Sequence, residues 1–112
     1  MANIDVEKLV KDNQKNMVTT TQLRLLLSNA VIVKNKIEIE GKDTLSDKLQ
    51  AEVKYLLIKH IYQCGREPRV KEFDKNFKIS DELKQIGNSV KKFNEFYRYL
   101  EEIVAYVKYY IG

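Results

Sequence analysis

One cysteine, one histidine, one proline, four glycines and no tryptophan occur in this chain of 112 residues. Each scarcity excludes something. A single Cys64 allows no internal disulfide and no cysteine-only zinc site. With His60 as the only histidine, the usual four zinc ligands are out of reach unless carboxylates help. The expectation is therefore no metal and no cofactor. No apolar run approaches the roughly 20 residues of a membrane span, so no transmembrane helix and no membrane partner are expected. The first residues carry Asp5, Glu7 and Lys8 without an apolar stretch, unlike a secretory leader. A reducing, cytoplasmic location is the corresponding expectation. No Gly-rich phosphate loop, HExxH or GxSxG motif is present.

What is present is helix-forming. Hydrophobic residues make up 44% of the chain, enough to fold and too many for intrinsic disorder. Lys, Leu, Glu and Gln abound, and breakers are few, which favours helix throughout. The expected fold is all-α: a compact bundle of five to six helices in a single domain spanning residues 1–112, ending in a long helix. Residues 1–17 hold an N-terminal helix from about Asp5 to Asn13, whose thin stripe of Val6, Leu9 and Val10 would fray unless docked.

Thr19 and Gln22 fit a capping box, so a second helix is expected from Thr20 to Lys36, with Leu23, Leu26, Leu27, Ala30 and Val31, extended by Ile37, on one face. The alternation from Ile37 to Asp43, ending near Gly41, reads as a loop or a frayed helix end. Thr44 or Ser46 caps a third helix reaching Cys64, with Leu49, Val53, Leu56, Leu57, His60, Ile61 and Cys64 inward. Gly65 is placed as a left-handed C-terminal cap and Pro68 as a stop. Val70, Phe73 and Phe77 mark a fourth helix. Ser80 caps a fifth, ended by Gly87.

Asn88 or Ser89 opens the last helix, which would be roughly 35 Å long at about 1.5 Å per residue. It carries two apolar seams. One runs through Phe93, Leu100, Val104 and Val107 and is assigned to the core. The other, through Phe96, Tyr99, Ile103 and Tyr106, is the candidate interface with a neighbouring subunit, because tyrosine buries its ring and still bonds through its hydroxyl.

The net charge of +4 is a mild bias towards anionic partners. From Lys59 to Lys92 there are nine basic against five acidic side chains. Lys59, Arg66, Arg69 and Lys71 cluster around the end of the third helix, and Lys59 and Arg66, seven apart, share a face if the winding persists. Such a surface grips phosphates without reading bases, and arginine grips them through paired hydrogen bonds. Tyr55 and Tyr62 lie on the same helix, where tyrosine at helical spacing reads first as core. His60 and Cys64, four apart, could pair as base and nucleophile but lack an orienting group in the sequence, so they read as the edge of the core. A helix-turn-helix DNA binder would need a tight turn before a polar, Arg/Asn/Gln-rich helix, which is not found here.

Three stretches in order carry a resemblance: VTTTQLR from Val18 to Arg24, YQCGRE from Tyr62 to Glu67 followed by Phe73, and YLEEIVAYVKYY from Tyr99 to Tyr110. Together they resemble the small subunit of type III-A CRISPR–Cas effector complexes, the Csm complex, over Val18 to the C-terminus. The resemblance implies a helical subunit without catalytic activity, present in several copies inside a ribonucleoprotein. Its implied partners are guide RNA and target RNA, the backbone subunits, the large polymerase-like subunit and further copies of itself. Cleavage and cyclic-oligonucleotide chemistry fall to those other subunits. By position, Arg24, Lys59 and Arg66 match basic positions of the pattern, and Glu101, Ala105, Tyr106, Lys108, Tyr109 and Tyr110 match its C-terminal motif. The chain departs from the pattern at Leu57, where lysine is common, and at His60, Gln63 and Cys64. Leu57 removes one possible phosphate contact. A helical protein–protein adaptor without direct nucleic-acid contact is the alternative, with the second seam of the last helix as its main asset.

Overall fold

A computed structural model describes residues 4–112, so the first three positions of the expected N-terminal segment lie outside the described residues. Six α-helices follow one another: α1 (Val6–Asp12), α2 (Thr20–Glu40), α3 (Asp47–Arg66), α4 (Pro68–Phe77), α5 (Ile79–Lys84) and α6 (Val90–Tyr110), with a single 3-10 turn over Gln14–Asn16. Among the described residues there is no strand, only an isolated bridge between Thr44 and Ser89 that ties the α2–α3 loop to the start of α6. No helix among them is long and apolar enough to cross a membrane.

Local chemistry fixes the helix starts. The Gln22 N–H donates to Thr19 Oγ1 at 3.1 Å, and the Thr19 N–H donates to Gln22 Oε1 at 3.0 Å, the reciprocal pair of a capping box. Asp5, Ser46 and Ser89 accept from the third residue of α1, α3 and α6 in the same way. The helix ends depart from expectation in two places. α2 does not stop at Lys36; it continues to Glu40 and buries Ile37, then closes on Gly41 in the left-handed region at φ 67°. α3 runs through Gly65 to Arg66, so Gly65 is helical and not a left-handed cap. The break falls instead at Glu67, extended at φ −126° and ψ 115°. Proline disfavours helical backbone in the residue before it and is preorganised for the first helical position. Pro68 thus restarts the chain as the first residue of α4.

α5 is capped differently from the sequence expectation. Its N-terminal cap is Lys78, held left-handed at φ 57°. Ser80 does not cap. Its own N–H and Oγ donate to the two carboxylate oxygens of Asp74, each at 2.7 Å.

The long last helix sits centrally, packed against α1, α2 and α5, while α3 packs on α2, α4 and α5. Phe93, Phe96, Leu100, Ile103 and Val107 are all but sealed from solvent, and Tyr99 is buried. This corrects the expected subunit interface. Phe96, Tyr99 and Ile103 belong to the chain's own core, and Tyr106 is partly buried against it. At about 1.5–3 kcal/mol per large side chain, releasing those three would cost roughly 5–9 kcal/mol. That rivals the whole stability of a typical domain, about 5–15 kcal/mol. α1, expected to fray unless docked, is docked on α6 through Val6 and Val10, both buried. The Tyr110 hydroxyl donates to Glu7 across the same contact. Asn76 of α4 also bonds Asn13 just after α1 at 3.0 Å.

Candidate nucleic-acid interface

Because α3 stays helical to Arg66, Lys59 and Arg66 do share a face, about 10 Å apart along the axis. The positions between and before them complete a line. Tyr55, Lys59, Tyr62 and Arg66 recur in steps of four, three and four, the spacing of neighbours along one helical stripe. All four are exposed, Tyr55 at 58% and Tyr62 at 65%. Lys59 Nζ lies 4.7 Å from the centroid of the Tyr55 ring, a cation–π contact that orients both side chains. Arg66 forms no ion pair among the described residues. The stripe therefore alternates ring and cation, aromatic faces for stacking and charges for phosphates.

The two tyrosines are functional candidates that the sequence reading assigned to the core. The signal that would have found them is phase. The buried positions of α3 are Leu49, Val53, Leu56 and His60, and Tyr55 and Tyr62 fall outside that face. Ile61 was likewise expected inward and is 46% exposed.

The other predicted cations are less concentrated. Arg69 and Lys71 are both exposed on α4, but buried Val70 sits between them, so the two point different ways around the helix. Arg24 is exposed on α2, in the turn that also supplies Gln22, Leu23, Leu25 and Leu26 to a groove of about 350 Å³. That groove runs between α2 and α3, closed at one end by Val70 and Phe73 of α4, and Tyr55, Lys59 and Tyr62 stand on its wall. Leu25 at 48% and Ile58 at 50% give it an exposed apolar lip.

The family model described as Csm2 Type III-A matches residues 4–112 of this chain. The chain belongs to that family. It is similar to the CRISPR system Cms protein Csm2 of Mycobacterium tuberculosis, with 40% identity over 92 residues, 82% of this chain and 74% of the relative. It is similar also to the proteins of that name from Streptococcus thermophilus, at 36% over 108 residues covering 96% of this chain and 85% of the relative, and Enterococcus italicus, at 34% over 117 aligned positions covering 96% and 83%. Family membership thus extends the resemblance from Val18 back through α1.

Within this family member, one group of side chains has the composition of a reactive site. His60 is buried, and its Nε2 lies 2.9 Å from Asp74 Oδ1 and 3.6 Å from Cys64 Sγ. Asp74 is the orienting group the sequence did not reveal, fourteen positions away on α4. The layout is nevertheless wrong for a triad, in which the base faces its nucleophile with one ring nitrogen and its carboxylate with the other. Here both partners meet the same nitrogen. Burial, reinforced by the Asp74 charge, pushes the Cys64 thiol up to about 11, so it is not a thiolate at neutral pH. Burial alone would raise the Asp74 carboxyl, but hydrogen bonds from Ser80 and His60 outweigh it and hold it below the ordinary value.

Proposed function

We propose that this chain is the non-catalytic small subunit of a type III-A CRISPR ribonucleoprotein, and that it contacts the guide and target RNA backbone without reading sequence. The observation that carries the reading is the exposed α3 stripe of Tyr55, Lys59, Tyr62 and Arg66, on a chain of the Csm2 family. A complex that accepts any guide must leave sequence to base pairing and grip backbone and shape. Cations spaced along a rigid helix suit phosphates, and tyrosine faces accept any base. Arg24 on α2 and Arg69 and Lys71 on α4 are exposed outside that stripe and serve as secondary phosphate contacts. The backbone subunits, the large polymerase-like subunit and further copies of the chain are its protein partners in a cytoplasmic complex, and several weak copies in a row reach avidity together.

The test is RNA retention by the assembled complex at several salt concentrations. Lys59→Ala with Arg66→Ala is expected to weaken binding and to lower the salt slope by roughly 1.4, two single-strand contacts at about 0.7 each. Retention unchanged at every salt concentration would sink the proposal.

The groove beside the stripe favours a second reading, an adaptor that docks protein and not RNA. Leu25 and Ile58 form its lip and are poor phosphate partners. Under that reading Ile58→Lys blocks assembly while the Lys59 and Arg66 substitutions change nothing.

A further inference from the structure

The convergence of three donor groups of different chemistry on one point is unexplained by the RNA-contacting reading. His60, Cys64 and Asp74 offer one imidazole nitrogen, one sulfur and one carboxylate oxygen, all within 4.8 Å of one another. The hydrogen bonds among them are satisfied, but the thiol's is weak. Nε2 carries at most one proton, yet both Asp74 and Cys64 face it. The thiol's remaining partner is the Val70 carbonyl oxygen, at a long 3.9 Å.

We infer that His60, Cys64 and Asp74 form a zinc site that clasps α3 to α4. The donor set of nitrogen, thiolate sulfur and carboxylate oxygen is one that Zn²⁺ accepts. With Zn–N near 2.05 Å and Zn–S near 2.3 Å, a tetrahedral centre places nitrogen and sulfur roughly 3.6 Å apart. Nε2 and Sγ stand at 3.6 Å already. The corresponding nitrogen–oxygen separation is roughly 3.4 Å and the sulfur–oxygen one roughly 3.6 Å, so Asp74 Oδ1, now 2.9 Å from Nε2 and within 4.8 Å of Sγ, has to move away from the ring by about half an ångström and settle beside the thiol. The second shell is in place: Ser80 holds both oxygens of Asp74 through its N–H and Oγ, as ligating carboxylates are commonly held. His60 lines the α2–α3 groove, and Cys64 and Asp74 are each only half-buried, so the donors are not sealed from solvent and water is available as the fourth ligand. Zinc takes the place of the thiol proton, which is released, and the imidazole proton moves to Nδ1 so that Nε2 is free to coordinate.

The full-length chain, stripped with a chelator, tests this with Co²⁺ and Zn²⁺. One equivalent of Co²⁺ should give a thiolate-to-cobalt charge-transfer band together with the intense visible bands of a tetrahedral ion, and Zn²⁺ should abolish both by displacement. Cys64→Ala should remove the charge-transfer band, and His60→Phe should weaken Zn²⁺ binding roughly tenfold or more. Zinc should raise the thermal midpoint of the unsubstituted chain and leave that of Cys64→Ala unmoved. Asp74→Asn should likewise weaken Zn²⁺ binding; if it does not fold, the other two variants carry the test, since neither removes the clamp between Asp74 and Ser80. Absence of the charge-transfer band, or equal zinc affinity in the unsubstituted chain and Cys64→Ala, overturns the site.

Discussion

The hydroxyl of Tyr99 donates a hydrogen bond of 2.6 Å to the backbone carbonyl of Phe77, inside the core. One bond thus joins the middle of α6 to the last residue of α4, just before the left-handed Lys78. Burial, reinforced by the nearby charges of Glu82 and Glu102, pushes the Tyr99 hydroxyl well above its ordinary pKa, so it stays a donor. Tyr99→Phe should destabilise the isolated chain by about 1–2 kcal/mol, since it also leaves a buried carbonyl without its partner. Urea unfolding of the isolated protein measures this. A variant as stable as the parent would show that the bond contributes nothing.

Two glycines make a matched pair. Gly65 lies within α3, and a Cβ added there meets nothing within 4 Å. Gly65→Ala should stabilise by about 0.5–1 kcal/mol, the ordinary helical preference. Gly41 is left-handed, and alanine there should destabilise by about 1 kcal/mol. Midpoints of chemical unfolding should move in opposite directions.

Asp74 predicts an acid response. Its folded pKa lies below the unfolded value of about 3.9. Between the two, the unfolded chain binds a proton that the folded chain does not, so stability falls as acid is added. The contribution is complete above about pH 5 and is lost as pH drops through the folded pKa. In chelator, Asp74→Asn should be less stable at neutral pH and show a shallower decline below about pH 5. Parallel stability curves for the two proteins would refute this.

The tyrosines of α3 should separate stacking from charge. Tyr62→Ala is expected to weaken single-stranded RNA binding by about 1–3 kcal/mol with its salt slope preserved, whereas Lys59→Ala lowers the slope. Titrations at several salt concentrations distinguish the two, and a slope change in Tyr62→Ala would argue against stacking.

Helix number and order were legible because capping residues and apolar periodicity agree for most of the chain: Thr19, Ser46 and Ser89 each start a helix where expected. What escaped was set by neighbours. Ile37 is in phase with the apolar face of α2, but the apolar–charged alternation that follows reads as a loop; packing of Ile37 into the core carries α2 to Glu40. Gly65 has the chemistry of a cap, but Pro68 three residues on restarts a helix and shifts the break to Glu67. Tyr99 suits an interface and a core equally well by residue type; only the closure of α1, α2 and α5 around α6 decides between them. On the candidate surface, Lys59 and Arg66 were readable from charge. Tyr55 and Tyr62 required knowing which face of α3 turns outward, and Asp74 required knowing that α4 folds back beside His60.

The pairing of α1 with α6 has a consequence for synthesis. A ribosome makes α1 before its packing partner α6, so Val6 and Val10 wait through the translation of α2 to α5 before their cover exists. Seven residues do not hold a helix by themselves in water. Residues 6–12 therefore stay unfolded, with Val6 and Val10 uncovered, until α6 emerges, and α1 forms only as it docks.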